Sequence, residues 1–269
     1  MLLSRRALLA TGLAAATLPA PAFAGPRAEL IDGPWQRFGS VTGVDDTEWR
    51  ALLAQHWVMG SDGVALLDWG AIDRAALKPY LDRLAATDPT TLTRDAAFAF
   101  WVNVYNAVTV DVVASEYPVT SIKQVRGGLF NTGPWGDKLI TVAGRDLTLD
   151  EVEHGILRPV FDDPRIHYAV NCASIGCPDL KPTPWTAETL ETDLNAAATN
   201  FIAHPRAVNV QSNGLRLSKI FDWFIEDFGD SEPGILNHIR QYASPELATT
   251  LETNTRIRGY DYDWSLNDV

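Results

Sequence analysis

The chain has 269 residues, of which 46% are hydrophobic and 21% charged. This composition is typical of a globular protein and excludes disordered, collagen-like and disulfide-scaffold chains. With 22 basic and 34 acidic residues, the formal charge at pH 7 is −12. A surface this acidic repels phosphate backbones and anionic lipids, which argues against nucleic-acid binding and against docking on a membrane surface.

The first 24 residues have the features of a cleavable export signal. Arg5-Arg6 precedes the apolar stretch Ala7–Leu18, and Ala22-Phe23-Ala24 offers small residues for cleavage before Gly25. The paired arginines resemble a twin-arginine signal, with Sec export as the alternative. No later run reaches about 18 consecutive apolar residues, so no membrane span is predicted after the export signal. We therefore expect a periplasmic or secreted protein with no membrane association after signal cleavage.

The mature chain is predicted to be mostly helical. Residues 25–46 are rich in Gly, Pro and Asp, which indicates a partly ordered arm before a single domain over residues 47–269. Helices are predicted over Trp49–Trp57, over Asp68–Ala86, and from Thr93 to about Glu116. The last is apolar on nearly every side, so we expect it to be buried through the middle of the fold.

The second half of the chain adds the predicted strands. A capping box of Thr148 and Glu151 predicts a helix to about Leu157, and Asn213-Gly214 predicts a type I′ hairpin turn. Strands are predicted over Lys138–Val142, Arg165–Asn171, Ala207–Gln211 and Leu215–Ser218, and helices over Thr186–His204, Lys219–Phe228 and Gly234–Tyr242. Few strands among many helices predict an α+β fold, with a small antiparallel sheet packed against several helices.

Both cysteines and two of the five histidines fall between positions 150 and 177. A thiol needs a base to form the thiolate, and an imidazole that acts as this base needs an orienting group. Cys172 is therefore a candidate nucleophile, with His154 or His167 as its base. In an extended chain His167 would lie roughly 16 Å from Cys172 on the opposite face, so it can serve only if the chain turns at Asn171.

The same segment supplies carboxylates and backbone donors. On a regular helix Glu153 points about 100° away from His154, whereas Asp150 and Glu151 share its face. Small residues after Cys172 would let backbone N–H groups near Ala173 bind an oxyanion.

Three other interpretations of these residues remain open. Cys172 and Cys177 could form a disulfide in an oxidising compartment, or the thiol could be buried and purely structural. The two cysteines with His154 and His167 could also bind zinc, although their spacing is looser than in a zinc knuckle. On the long apolar helix, Asn103 and Asn106 need hydrogen-bond partners; they either bridge core backbone or face the cleft beneath Cys172.

Five ordered motifs together resemble the DUF547 family, and the likeness spans roughly residues 50–267. They are Phe100–Ala107, Glu153–Arg158, Arg165–Pro178, Leu217–Phe224 and Tyr262–Asn267. The resemblance implies a thiol hydrolase of papain-like or transglutaminase-like type. Its functional set would be Glu153, either His154 or His167, and Cys172.

Two functions follow from these observations. The first is a cysteine-dependent hydrolase that uses Cys-His-Glu chemistry on a peptide or small amide substrate, without a cofactor or metal. The alternative is a non-catalytic periplasmic binding module that is closed by a Cys172–Cys177 disulfide. Its aromatic loop, Phe130–Trp135, would then form the recognition surface.

The export signal makes a direct prediction about mass. We expect the exported protein to begin near Gly25, because the small residues at Ala22 and Ala24 suit signal peptidase. Intact-mass measurement of the exported fraction checks this, and an exported chain that still carries Met1 would contradict it.

Overall fold

The computed structural model describes residues 25–126 and 132–269. The predicted export signal at residues 1–24 lies outside the described residues, as does Phe130 of the predicted recognition loop.

The N-terminal part of the fold consists of three helices and one small ribbon. Its elements are α1 (Thr47–His56), β1 (Trp57–Met59), β2 (Ala65–Leu67), α2 (Arg74–Ala86) and α3 (Arg94–Glu116). Strands β1 and β2 pair antiparallel. Helix α2 begins later than predicted, because Asp73 caps it by accepting a hydrogen bond from the Ala75 N–H, which leaves Trp69–Ala71 as a separate 3-10 turn.

Helix α3 is buried on nearly every side, as predicted. Seventeen of its 23 residues are buried, and the Thr93 side chain caps it by accepting from the Ala96 N–H. Within the described ranges α3 is long and apolar enough to cross a membrane, but 94% of its most apolar window is buried inside the protein. It forms the centre of the larger hydrophobic core, in which Trp35, Trp49 and Leu149 also lie.

The middle of the chain begins with a second antiparallel ribbon, formed by β3 (Ile140–Val142) and β4 (Arg145–Leu147). The predicted capping box follows it and is confirmed: Thr148 Oγ accepts from the Glu151 N–H, and the Glu151 carboxylate accepts from the Thr148 N–H.

The helix that the box starts is longer than predicted and contains a widened turn. Helix α4 (Leu149–Val152) continues into a π-helical turn (Glu153–Leu157) and then α5 (Arg158–Phe161). The predicted end at Leu157 is wrong, because Pro159 falls in the first turn of α5, where its missing N–H costs little.

The predicted strand over Arg165–Asn171 is also wrong. Pro164–Tyr168 forms a 3-10 helix, which Asp163 caps by accepting from the Arg165 N–H. A proline at the first helical position and an aspartate before it favour a helical turn. A short apolar run does not by itself distinguish a strand from buried helix, which explains the error.

The C-terminal part contains the remaining elements. They are α6 (Leu190–Ala203), β5 (Val208–Gln211), β6 (Gly214–Ser218), α7 (Ile220–Trp223), α8 (Glu232–Tyr242), α9 (Pro245–Thr253) and β7 (Ile257–Asp261). Strands β5 and β6 pair antiparallel, and β7 joins β6 in parallel. The α+β class is confirmed, but in the described part of the chain the strands are divided among three small sheets, of which one is mixed.

Glu29 and Ile31 of the N-terminal segment lie along the π-helical turn. The Glu29 N–H donates to His154 O at 3.0 Å, and the Ile31 N–H donates to Gly155 O at 3.1 Å. A π-helical turn departs from the regular hydrogen-bond ladder, which frees carbonyls for such partners. Gly155 permits the approach, since a Cβ there would lie 2.7 Å from the Ile31 side chain.

The predicted hairpin between β5 and β6 is confirmed, but its turn differs from the prediction. Gln211 pairs with Gly214, so the two loop residues are Ser212 and Asn213. Gly214 has a φ of +146°, whereas Asn213 is not among the residues with positive φ. The type I′ assignment, which needs positive φ at both Asn213 and Gly214, is therefore wrong.

We expect Gly214→Ala to lower the free energy of unfolding by about 1–3 kcal/mol, because φ at this position disfavours a side chain. An added Cβ would also lie 2.5 Å from Arg256 O. Urea denaturation measures the change. Gly43→Ala is the matched control, since nothing lies within 4 Å of its added Cβ. Equal stability of the two variants would contradict the prediction.

Candidate active site

All four predicted site residues line one cavity of about 380 Å³. Cys172, His167, His154 and Glu153 meet there, although they come from the π-helical turn, the 3-10 helix and the loop that follows it. The cavity is also lined by Gly25, Pro26, Tyr105, Trp135, Asp150, Val170, Cys177, Pro178, Ile220, Trp223, Phe224, Tyr262 and Trp264. Its volume falls within the usual range for small-molecule sites, about 300–1,000 Å³.

The backbone before Cys172 is held by Asn106 of the buried helix α3. Asn106 Oδ1 accepts from the Asn171 N–H at 2.8 Å, and its Nδ2 donates to Ala169 O at 3.0 Å. Asn103 makes the same kind of contact with the backbone N–H and C=O of Trp185. Both amides therefore bridge core backbone, which is the first of the two predicted roles. Asn106 is buried, so water does not compete for its two hydrogen bonds, and these bonds fix the backbone immediately before Cys172.

The chain turns sharply around Cys172. Asn171 Oδ1 accepts from the Ala173 N–H at 2.9 Å, and Ala173 has the left-handed φ of +57°. This hydrogen bond corrects one prediction: the N–H of Ala173 is already used inside the turn and does not point at a substrate oxyanion. The N–H of Cys172 is used as well, because it donates to Cys177 Sγ at 3.0 Å.

The two sulfur atoms are in direct contact. Cys172 Sγ lies 2.6 Å from Cys177 Sγ, and the two sulfurs are not bonded to each other in the structure. A disulfide bond would measure about 2.05 Å. The Tyr262 hydroxyl lies 3.0 Å from Cys172 Sγ and 3.1 Å from Cys177 Sγ, and Ser174 Oγ lies 3.3 Å from Cys172 Sγ. Cys172 is half-buried and Cys177 is buried, so the first faces the cavity more openly.

Because of this contact, the thiol of Cys177 has a lower pKa than the thiol of Cys172. Burial opposes its ionisation, but hydrogen bonds from Cys172 and Tyr262 lower the pKa of Cys177 to about 7. The same hydrogen bond to Cys177, together with burial, raises the pKa of Cys172 well above its ordinary value. The sequence predicts His154 or His167 as the base for Cys172; in the described ranges, neither imidazole is hydrogen-bonded to either sulfur.

His167 is held between two carboxylates. Its Nε2 lies 2.6 Å from Asp227 Oδ2 and its Nδ1 lies 3.6 Å from Glu153 Oε1, while its ring stacks on Phe224. Burial opposes protonation, but the two carboxylates raise the pKa of His167 above its ordinary value. Glu153 and Asp227 are correspondingly acidic: although burial opposes ionisation, the facing histidines and Arg158 hold both pKa values at about 2. His167 is therefore fixed in the wall and is more readily protonated than a free imidazole.

His154 is a neutral imidazole on the cavity wall. Burial lowers its pKa, and its Nδ1 lies 3.2 Å from Arg158 Nη1. Because arginine only donates, Nδ1 accepts and the ring proton is on Nε2. Nε2 lies 3.9 Å from Asp150 Oδ1, whereas Glu151, the other predicted partner, pairs with Lys138. The π-helical turn brings Glu153 Oε1 to 3.9 Å from His154 Nδ1, which regular helical geometry did not predict.

Two residues of the site were not identified from the sequence. Asp227 lies 60 positions after its partner His167, with no motif that connects them. Tyr262 begins the last quoted motif, but nothing local indicates that its hydroxyl reaches both sulfurs. Arg158 was quoted only as part of a motif, although its guanidinium contacts Asp227, Glu226 and Pro26 O, each at 2.6 Å.

The zinc interpretation finds no support in the geometry. Over residues 25–126 and 132–269, no group of three or more His, Cys, Asp or Glu side chains is placed to hold a metal ion.

We expect Asp227→Asn to lower the free energy of unfolding by about 2–4 kcal/mol at pH 7, because it leaves Arg158 and His167 short of a buried counter-charge. Glu226→Gln is the matched control, since Glu226 binds the same guanidinium but is 41% exposed; we expect a loss below about 1 kcal/mol.

The difference in unfolding free energy between wild type and Asp227→Asn should become smaller as the pH falls. The folded-state pKa of Asp227 is about 2, below its ordinary 3.8, so its contribution is complete above pH 4 and disappears as the pH falls towards 2. Denaturant titrations at pH 7, 4 and 2 measure it, and a gap between wild type and Asp227→Asn that stays constant across this range would contradict the assignment.

Comparison with known proteins identifies one family. Residues 89–202 match the family described as "Protein of unknown function, DUF547". The match includes the first three quoted motifs and ends before the last two. No curated protein and no solved structure matches the chain. The resemblance predicted from the motifs is confirmed over residues 89–202, and this matched range contains Cys172, His167, His154 and Glu153.

Proposed function

We propose that this chain is an exported, cysteine-dependent hydrolase of peptide or small amide bonds, with Cys172 as the nucleophile. The observation that carries the proposal is the contact of Cys172 Sγ with the buried, more acidic Cys177 Sγ in the wall of a cavity large enough for a small substrate. The acidic surface of the chain agrees with a substrate that is neither nucleic acid nor lipid.

Cys177 is the base in this proposal, in place of a histidine. Its thiolate takes the proton from Cys172 as Cys172 Sγ attacks the substrate carbonyl carbon. The resulting Cys177 thiol then returns that proton to the amine as the C–N bond breaks, which leaves a thioester on Cys172. Water then hydrolyses the thioester to the carboxylic acid, and Cys172 Sγ regains a proton from that water, which restores the Cys172 thiol and the Cys177 thiolate. A group with a pKa near 7 is well matched to proton transfer at neutral pH.

The histidines and Glu153 have a supporting role. His167 is fixed by Asp227 and Glu153, so it stabilises negative charge in the cavity but does not accept a proton from sulfur. His154 carries its proton on Nε2 and lines the cavity, where it can donate to the oxyanion that the N–H of Ala173 does not reach. The proposed reaction is therefore similar to that of papain-like or transglutaminase-like enzymes in using a cysteine nucleophile, but its base is Cys177 in place of a histidine.

The second candidate is a non-catalytic periplasmic module that is closed by a Cys172–Cys177 disulfide. The short distance between the sulfurs favours it, because oxidation would need little movement. An oxidised Cys172 is no nucleophile, so the redox state of the pair separates the two candidates.

We expect the reduced protein to cleave members of a pool of synthetic peptides, and Cys172→Ser to abolish cleavage. Cys177→Ser should lower the rate at least a hundredfold, because serine does not act as a base at neutral pH. Ser174→Ala, which removes a neighbour of Cys172 but leaves both thiols, should keep most of the activity. The wild-type rate should rise between pH 6 and 8 as Cys177 loses its proton.

Mass spectrometry of the peptide pool measures cleavage, and iodoacetamide labelling reports the thiols. Absence of cleavage by the reduced wild type, or equal cleavage by Cys172→Ser prepared in the same way, overturns the hydrolase. If neither cysteine of the exported protein is labelled until a reductant is added, the disulfide-closed module is favoured.

A further inference from the structure

One wall of the cavity is formed by four aromatic side chains. The ring centroids of Trp223 and Tyr262 are 4.9 Å apart, those of Tyr262 and Trp264 are 4.6 Å apart, and those of Trp135 and Trp264 are 5.7 Å apart. All four line the cavity. Clustered indole and phenol faces attract cations, and they are used to bind ammonium groups in proteins.

Asp150 lies next to this wall, and its carboxylate is half-exposed at the cavity. Its N–H donates to Trp135 O at 3.1 Å, its side chain is 51% exposed, and it also lines the cavity. Burial and the charges of Glu153 and Glu151 raise the pKa of Asp150 to about 6, so the carboxylate is mostly ionised at pH 7.

No described side chain cancels this charge inside the cavity. The nearest basic group is His154 Nε2, at 3.9 Å, and burial keeps that imidazole neutral. On its other side Asp150 faces a second cavity that Arg126 also lines, but the guanidinium of Arg126 lies within 4.0 Å of the carboxylates of Glu116 and Asp137.

The aromatic wall already holds one cation of the protein itself. Lys123 Nζ lies 4.9 Å from the centroid of the Trp264 ring, although Lys123 does not line the cavity. The rings of this wall are therefore suitable partners for a primary ammonium group. The excess of acidic residues in the chain also favours a cationic ligand.

We propose that Asp150 and the aromatic wall form a subsite for a primary ammonium group, so that the substrates are amides or peptides with a lysine-like side chain. This inference rests on the proposed function, because it assigns a substrate class to the same cavity. The aromatic faces bind the alkyl stem and the cation, and the carboxylate of Asp150 pairs with the ammonium.

The test compares two small probes that share a four-carbon side-chain stem and differ in the terminal ammonium group, Nα-acetyl-lysinamide and Nα-acetyl-norleucinamide. Binding is measured by calorimetry on the full chain that carries Cys172→Ser, so that turnover does not interfere. We expect the lysine probe to bind at least about tenfold more tightly, since the norleucine probe lacks the cation. Adding Asp150→Asn should remove that selectivity.

Asp146→Asn is the matched control. It removes the same charge from an exposed position on β4 that does not line the cavity, and we expect the selectivity to be retained. Equal binding of the two probes, no detectable binding of either at millimolar concentration, or equal loss of selectivity in both variants would overturn the subsite. These outcomes are independent of peptide cleavage, so a failure of the subsite is distinguishable from a failure of the hydrolase.

Discussion

The buried guanidinium of Arg158 connects the parts of the molecule that form the cavity. Its side chain is only 1% exposed, so the fold must supply hydrogen bonds and negative charge around it. Glu226 and Asp227 come from the segment after α7, and Pro26 O comes from the start of the described chain. One desolvated charge thus brings together three segments that are distant in sequence.

Asp227 extends this network to the histidines. It binds Arg158 and His167 at once, and His167 in turn lies between Asp227 and Glu153. Basic and acidic groups face each other throughout this network, which explains why they can be buried beside an apolar core. The result is a polar wall of paired acidic and basic groups. The two sulfurs line the same cavity but lie outside this network, and they hydrogen-bond with each other and with Tyr262.

Much of the fold could be predicted from local sequence, because the decisive contacts are local. The cap at Thr93, the capping box of Thr148 and the all-round apolar pattern of α3 each depend on residues within a few positions. The 3-10 helix over Pro164–Tyr168 was missed because a short apolar run fits two structures.

The sequence predicted which residues line the site, but it did not predict how their side chains pair. Cys172, His154, His167 and Glu153 stand close together in the sequence, and they do line one cavity. Their pairing depends on Asp227, which contacts His167, and on Tyr262, which contacts both sulfurs. Both residues are far along the chain from their partners, so no local pattern indicates these contacts. The pairing also depends on the π-helical turn, which moves Glu153 relative to its position on a regular helix.

The close approach at Gly155 has a consequence for the shape of the cavity. The strand-like hydrogen bonds of Glu29 and Ile31 hold the N-terminal segment against the π-helical turn, and Pro26 of that segment lines the cavity. A side chain at position 155 would push Ile31 away and, with it, this part of the cavity rim. The shape of the cavity is therefore governed in part by the absence of a single methyl group at a position that does not itself line the cavity.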